Sequence, residues 1–231
     1  MLFDHKKPTH NPSVQLAGKI MKHIIFCLTL ILCFALPAKA SDQEVVDRVQ
    51  ERLDALEGLK ADYVQILTNA ATRESQERTG SIYFEKPLQV RWESDAPHRE
   101  LLVINEDKVW NYFPDDEVAY EYEVEEVLTS RAMINFISGQ AKLTEDFKVE
   151  DQGMEDGLHK LKLVPANPEP DLVLAYLWSD DQGLLHRILL VDFFGNGNEL
   201  RLESVETDPE LDGDKFEFRA GDVEIREGQA G

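Results

Sequence analysis

Histidine and carboxylate side chains are the groups in this sequence that could take part in acid–base or metal chemistry. The histidines beyond residue 40 are His98, His159 and His186. Each stands alone in a different strand or turn pattern, without a second histidine or a cysteine at the spacing of a zinc site. We therefore interpret all three as surface or structural histidines and predict no metal site.

Paired carboxylates occur as Asp-Asp at positions 115–116 and 180–181, both in turn-like contexts. Acid–base catalysis would require a pocket and shifted pKa values, and adjacent acidic residues are expected by chance in so acidic a chain. Residues 208–213 weakly resemble a calcium loop, but Glu210 and Arg219 occupy its third and twelfth positions, so we interpret the segment as a turn. No Gly-x-Ser-x-Gly motif or glycine-rich phosphate loop occurs. The sequence predicts neither an enzyme nor a cofactor.

The first forty residues have the pattern of an export signal. Met21 and a basic residue precede an apolar run over residues 24–36, and residues 38–40 (Ala-Lys-Ala) resemble a cleavage site. The run is shorter than the roughly 20 apolar residues that span a bilayer. We predict that Met21 is the translation start, that residues 1–40 are an extension and a cleaved signal, and that the mature protein begins at Ser41 in the periplasm.

Both cysteines, Cys27 and Cys33, lie in this segment. A lipoprotein signal requires a small residue directly before the modified cysteine, whereas Phe26 and Leu32 stand there. We therefore predict a mature chain without disulfide bonds and without a lipid anchor.

The predicted mature chain is strongly acidic. The sequence has 24 basic and 45 acidic residues, and its first forty residues contain five of the basic and one of the acidic ones, so a net charge of −25 remains. A field of this sign repels phosphate backbones and anionic membranes, and nucleic-acid binding is not expected. The charge either keeps an ordinary surface solvated or faces a partner with a basic docking surface.

A helix is predicted at the start of the mature chain. Residues 41–44 (Ser-Asp-Gln-Glu) have the pattern of a capping box, and Gly58 could supply the C-terminal cap. Apolar residues recur between them at three- and four-residue spacing, which indicates one apolar stripe: Val45, Val46, Val49, Leu53 and Leu56.

Beyond this helix the apolar period changes to two, which is typical of β-strands. Strand patterns cover residues 63–67, 80–86, 88–94, 99–104, 109–113, 118–123, 147–151, 158–164, 172–179, 184–194, 199–207 and 215–219. A second helix is predicted over residues 125–139, closed by Gly139, and residues 195–198 are typical of a hairpin turn. We predict a mainly β (α+β) single domain over residues 41–231, with about eleven strands in one antiparallel sheet and helices packed on it.

Large apolar and aromatic residues are concentrated near the first helix and the early strands. They are Tyr63, Ile82, Tyr83, Phe84, Val90, Trp92, Trp110 and Tyr112. Such residues form an ordinary core, or they line a concave sheet face that is left partly unfilled, as a carrier of apolar ligands would need. The pattern alone leaves both alternatives open.

The segment Gly80–Trp92 resembles the signature of the periplasmic lipoprotein carriers of the Lol pathway, the LolA family. The shared pattern is a glycine, an apolar strand, a basic residue followed by proline, and a tryptophan five residues after the proline. Further similar segments stand in the family's order at residues 63–65, 102–104, 108–112, 136–139 and 216–218. The resemblance covers residues 41 to about 226.

This resemblance implies an open antiparallel half-barrel of about eleven strands, lidded by α-helices and enclosing an apolar cavity. It implies a monomeric, non-catalytic carrier of acylated lipoproteins, without cofactor. The expected partners are an inner-membrane lipoprotein-releasing ABC transporter and an outer-membrane lipoprotein receptor. The alternatives are an envelope lipid-binding sensor on the same fold and, in a different class, a lipid-ester hydrolase.

The residues that we expect around the acyl chains lie on both predicted helices and on the sheet. They are Leu53 and Leu56 on the first helix, Met133, Phe136 and Ile137 on the second, and Val90 and Trp92 on the sheet. Lys86 stands where the family has an arginine that ties the lid to the sheet, and Arg131 stands where the family often has proline. Lysine keeps the charge but lacks the bidentate geometry of arginine, so the strength of the tie is expected to differ.

Overall fold

A computed structural model describes residues 42–124, 132–219, 221 and 223–228. These residues form one large β-sheet with short helices. The helices are α1 (Asp42–Ala55), α2 (Ala132–Ile137) and α3 (Leu143–Asp146), with a 3₁₀-helix at Gly213–Phe216. The strands are β1 (Gly58–Thr68), β2 (Ser75–Glu85), β3 (Gln89–Ala96), β4 (Glu100–Ile104), β5 (Lys108–Phe113), β6 (Val118–Glu123), β7 (Phe147–Glu155), β8 (Leu158–Pro165), β9 (Leu174–Ser179), β10 (Leu185–Val191), β11 (Gly197–Thr207) and β12 (Glu224–Glu227). None of these helices is long and apolar enough to cross a membrane.

The sheet is open and has 12 strands in the order β12-β6-β5-β4-β3-β2-β1-β11-β10-β9-β8-β7. It consists of two antiparallel meanders, β1–β6 and β7–β11, which meet where β1 pairs with β11. Only β12 pairs in parallel, with β6 at one edge. The predicted class, a mainly β open antiparallel sheet of about eleven strands with helices packed on it, is confirmed.

Helix α1 has the predicted apolar stripe, because Val45, Val46, Val49 and Leu53 are all buried. The prediction that Gly58 caps this helix is wrong. The helix ends at Ala55 and Gly58 begins β1, where its backbone nitrogen donates a 3.0 Å hydrogen bond to the Asp208 carboxylate. The predicted capping box depends on Ser41, which lies outside the described residues.

The second predicted helix is described only from residue 132, since residues 125–131 lie outside the described part of the chain. Helix α2 ends at Ile137, and Gly139 follows with φ +70°, as expected for a residue that closes a helix. A Cβ at Gly139 would lie 2.4 Å from the carbonyl oxygen of Leu53, so only glycine allows α1 to approach this closely. A hairpin turn joins β10 and β11 as predicted, but it lies at residues 192–196 rather than 195–198, because Gly197 and Asn198 already belong to β11.

The predicted strand at residues 215–219 is wrong. The chain forms a 3₁₀-helix at Gly213–Phe216, because the Asp212 side chain accepts a hydrogen bond from the Asp214 backbone nitrogen and Phe216 turns into the core. The last strand is instead β12, all of whose residues are exposed. Its sequence has no apolar alternation and therefore gave no strand signal.

Candidate ligand-binding site

Side chains of α1 and α2 pack on one face of the sheet, which we call the inner face. Leu53 of α1 and Phe136 of α2 surround a common void of only about 20 Å³, together with Leu59, Ile188 and Leu202 of the sheet. The inner face is apolar at this end. Its fully buried residues include Leu59, Ile82, Phe84, Val90 and Ile104.

Four of the predicted site residues meet in this densely packed region. Leu53, Leu56, Phe136 and Ile137 are each at most 4% exposed, and all line the same small void. The ring of Phe136 lies 5.6 Å from that of Phe147. Val90 is completely buried on β3. These residues therefore form core packing between helices and sheet.

Two other predicted residues, Trp92 and Met133, line a separate and much larger cavity of about 1000 Å³. Its apolar walls also include Leu67, Leu102, Ile134 and Leu190. The indole ring of Trp92 packs edge-on against Tyr63, with the ring centroids 5.3 Å apart. The unfilled space that a carrier needs therefore lies next to the helix-covered core.

Gly80, the first residue of the signature segment, pairs with Ser94, which lines this cavity. It lies between Tyr63 of β1 and Ser94 of β3, and a Cβ at Gly80 would lie 1.8 Å from the carbonyl oxygen of Glu93. Because glycine has no side chain, the Tyr63 hydroxyl reaches across β2 to Ser94 Oγ at 2.7 Å. Burial raises the pKa of Tyr63 above its usual value, so the phenol is neutral and can act as either donor or acceptor.

Polar residues that the sequence analysis missed line the cavity beside these apolar ones. Arg78 Nη1 donates to Glu100 Oε2 at 3.0 Å, and Gln65 Nε2 donates to Asn198 Oδ1 at 2.9 Å. All four residues line the cavity. Their sequence signal is weak, because polar residues at alternate positions of a strand usually indicate a solvent-facing side.

Lys86 lies directly after β2 and contacts the C-terminal end of α1. Its Nζ donates to the backbone carbonyl of Asp54 at 2.7 Å and forms an ion pair with Glu57 at 3.2 Å. Carbonyl groups in the last turn of a helix lack partners within the helix and carry partial negative charge, so a cation stabilises this end. The geometry links the helix to the sheet at the position where the resemblance places an arginine.

A second set of polar contacts, absent from the sequence analysis, holds the other side of α1. Lys142 Nζ lies 2.6 Å from Asp54 Oδ1, and this hydrogen bond holds the pKa of the Asp54 carboxyl below its usual value. Gln50 Oε1 accepts a 2.7 Å hydrogen bond from the Leu143 backbone nitrogen. The last turns of α1 are therefore held by one lysine from the sheet and one from the α2–α3 connection.

In the described part of the chain, the histidines and the Asp-Asp pairs lie outside the cavity lining. His159 Nε2 lies 3.1 Å from Asp181 and His186 Nε2 lies 3.2 Å from Asp180, both at the β9–β10 turn and outside the cavity lining. No group of three or more potential metal ligands occurs among the described residues. Asp208, the first residue of the weak calcium-loop pattern, accepts hydrogen bonds from two backbone nitrogens instead.

Comparisons with known proteins agree with this architecture. The sequence profile of the family described as outer membrane lipoprotein carrier protein LolA matches residues 54–219. An outer-membrane lipoprotein carrier protein of Methylococcus capsulatus is 32% identical over 192 residues, covering 81% of this chain and 89% of the relative. One of Nitrosomonas europaea is 26% identical over 199 residues, covering 86% and 95%.

Among solved structures, an uncharacterized conserved protein from Thermus thermophilus aligns with a TM-score of 0.52 at 15% identity, covering 80% of this chain and 98% of that protein. This similarity supports the fold alone. The matched residues 54–219 include strands β1 to β11 and the residues that line the cavity. The chain belongs to the outer-membrane lipoprotein carrier family, LolA.

Proposed function

We propose that this protein carries outer-membrane lipoproteins through the periplasm with their acyl chains held in the inner-face cavity. Family membership supports the carrier role. The structural observation that supports it most directly is the cavity of about 1000 Å³ between the sheet and α2, with Trp92, Leu102, Met133 and Leu190 in its walls. A protein of this size normally fills such a space with its own side chains.

The energetic reason for a carrier is the cost of exposing acyl chains to water. Burial of each methylene group stabilises by about 0.8 kcal/mol, so a lipoprotein with several long chains cannot cross an aqueous compartment unprotected. An apolar cavity removes this cost without a chemical reaction. We accordingly propose a non-catalytic protein that requires neither metal nor cofactor.

The packed region beside the cavity supports a second part of the proposal. Leu53, Leu56, Phe136 and Ile137 close over the sheet with almost no free space. We propose that a bound lipoprotein moves α1 and extends the cavity into this region, so that these residues and Val90 contact the acyl chains. Lys86 then acts as a tie that favours the packed, ligand-free arrangement.

The proposed partners follow from the carrier role. We propose that the protein is a monomer, receives lipoproteins from an inner-membrane ABC transporter and delivers them to an outer-membrane receptor. Delivery requires that the receptor bind the lipoprotein more tightly than the carrier does, and a helix lid held by few polar contacts keeps the exchange fast.

Ligand displacement tests the proposal. Protein purified from the periplasm is saturated with an apolar naphthylamine dye, and a synthetic triacylated lipopeptide is added. We expect the dye to bind and the lipopeptide to displace it, whereas the same peptide without acyl chains has no effect. Dye binding without displacement by the lipopeptide would contradict the carrier function.

A further inference from the structure

The cavity has a polar strip along its floor, which we call the polar belt. It runs across five adjacent strands, from β11 through β1, β2 and β3 to β4, and consists of Gln65, Arg78, Ser94, Glu100 and Asn198. The register pairs Gln65 with Arg78 and Ser94 with Glu100, and side-chain hydrogen bonds join Gln65 to Asn198 and Arg78 to Glu100. The belt is therefore a continuous feature of the sheet rather than a set of isolated polar residues.

On β3 and β4 the inner face changes from apolar to polar at the same level. On β3 the inner-face residues run from Val90 through Trp92 to Ser94, and on β4 they run from Ile104 through Leu102 to Glu100. Helix α2 contributes the apolar residues Met133 and Ile134 to the cavity lining. A ligand that matches this cavity has apolar chains and a polar head, and its head lies over the belt.

The two charged residues of the belt, Arg78 and Glu100, form an ion pair with no net charge. Arg78 and Glu100 reach each other over β3 at 3.0 Å and are only 33% and 25% exposed. A guanidinium group has five N–H donors. Within the described residues, Arg78 donates one hydrogen bond, to Glu100. The remaining donors can bind carbonyl oxygens of an uncharged head group.

An anionic head group is disfavoured at this position by the Glu100 carboxylate. To bind Arg78 it must compete with the Glu100 carboxylate, and its own charge then lies close to that carboxylate. Like charges at this distance repel, and the repulsion is strengthened by the partial burial of the pair. The belt therefore favours neutral ester and amide carbonyls over carboxylate or phosphate.

We propose that the polar belt is a head-group subsite that selects acylated ligands with neutral ester and amide linkages and discriminates against anionic lipids such as free fatty acids. This inference rests on the proposed function, because it concerns the same cavity. It assigns the selectivity to Glu100, whose carboxylate neutralises Arg78 and repels a competing anion.

The test compares two ligands on variants with opposite expected effects. Affinities for palmitate and for a triacylated lipopeptide with an uncharged peptide are measured by displacement of the apolar dye. Relative to the wild type, Glu100→Gln should raise the ratio of palmitate affinity to lipopeptide affinity about five- to tenfold, because it leaves the guanidinium unneutralised. Arg78→Gln should lower the same ratio by about as much, because only the carboxylate remains.

Glu206→Gln provides the matched control, since it makes the same charge change on the outer side of β11, where Glu206 pairs with Lys60. It should leave the ratio unchanged. General loss of folding would change both ligands in the same direction and cannot mimic two shifts of opposite sign. Equal ratios in wild type and both belt variants would overturn the inference while leaving the carrier function intact. Failure of the wild type to bind lipopeptide at all would instead refute the carrier function.

Discussion

Gly80 lies on β2 between Tyr63 of β1 and Ser94 of β3, and its lack of a side chain is a steric requirement. A Cβ there would lie 1.8 Å from the Glu93 carbonyl oxygen, which belongs to the backbone and cannot rotate away. We expect Gly80→Ala to lower the free energy of unfolding by about 2 kcal/mol or more, measured by urea denaturation. Gly213→Ala is the control, because its Cβ position has no atom within 4 Å, and it should cost less than about 0.5 kcal/mol. Equal losses in the two variants would refute the steric explanation.

The effect of Phe136→Ala on the free energy of unfolding distinguishes core packing from cavity lining at this position. It is 1% exposed and packs against Phe147, so we expect Phe136→Ala to lower the free energy of unfolding by about 3–5 kcal/mol. Leu67→Ala, at a partly exposed position in the wall of the large cavity, should cost under about 2 kcal/mol because less packing is lost. A small loss for Phe136→Ala would mean that the packed region is already open without ligand.

Asp208 gives the stability a pH dependence. Its carboxylate accepts hydrogen bonds from the Glu57 and Gly58 backbone nitrogens at 2.8 and 3.0 Å, and these bonds hold its pKa below the usual value. A lowered folded-state pKa means that the contribution is complete above the ordinary aspartate pKa of about 3.9 and is lost as the pH falls through the lowered value.

We therefore expect Asp208→Asn to be less stable than wild type by about 0.5–1 kcal/mol at pH 7, with the difference disappearing as the pH falls through the lowered pKa of Asp208. Urea denaturation over this pH range measures it. Asp156→Asn is the matched control, because Asp156 also has a positive φ of 54° but accepts no hydrogen bond within the described residues. A difference that persists at low pH would refute the role of the ionised carboxylate.

The sequence predicts individual inner-face residues better than it predicts their neighbours in space. Trp92 and Met133, two of the residues predicted to contact acyl chains, line the cavity. Trp92 was predictable as an inner-face residue because large apolar residues at alternate strand positions usually face inward. Arg78 and Glu100 were missed, because their contact requires the pairing of three strands across 22 residues. No local sequence pattern indicates how these three strands pair.

At the scale of elements, polar contacts at the C-terminal end of α1 add to its apolar packing on the sheet. Lys86 holds the Asp54 carbonyl, and its loss should weaken the packed, ligand-free arrangement relative to the ligand-bound one. We expect Lys86→Leu to fold and to release bound lipopeptide about two- to fivefold more slowly, measured by transfer of the lipopeptide to detergent micelles. Lys86→Arg, which restores a charged donor, should release at the wild-type rate or faster. An unchanged rate of lipopeptide release in Lys86→Leu would refute the proposal that Lys86 stabilises the packed arrangement of α1.

The elements themselves were predictable where one local pattern decides the structure. Strands β1 to β11 follow from apolar alternation, and α1 follows from its stripe at three- and four-residue spacing. The failures occur where a tertiary contact overrides the pattern. Phe216 and Phe218 alternate as in a strand, but Phe216 enters the core through a 3₁₀ turn and Phe218 stacks on Trp110 with the ring centroids 5.8 Å apart. Strand β12 depends on parallel pairing with β6, which its own charged sequence cannot indicate.

At the scale of the whole molecule, the open space and the close packing lie side by side on one sheet face. The cavity holds about 1000 Å³, whereas the region under α1 leaves about 20 Å³. The two regions share the β1, β10 and β11 strands and the α2 helix. An acyl chain that extends from the cavity into the packed region therefore requires α1 or α2 to move away from the sheet.

Amide hydrogen exchange can detect this movement at a defined contact. The Leu143 amide donates to the Gln50 side chain of α1, so its protection reports whether the helix is seated. We expect a saturating triacylated lipopeptide to speed exchange at Leu143 by about tenfold or more, while amides of β1 to β3 beside the polar belt exchange more slowly. The Gly153 amide, bonded to Asp151 in a strand that lines neither region, should not change.

If lipopeptide binds and Leu143 keeps its protection, the existing cavity holds the acyl chains without movement of α1. Leu53, Leu56, Phe136 and Ile137 would then be structural core only, and Trp92 and Met133 alone among the predicted helix and sheet residues would contact the ligand. If exchange at Leu143 increases in the wild type and increases further in Lys86→Leu, both regions form one expandable site, and the tie at the end of α1 sets the balance between its closed and filled states.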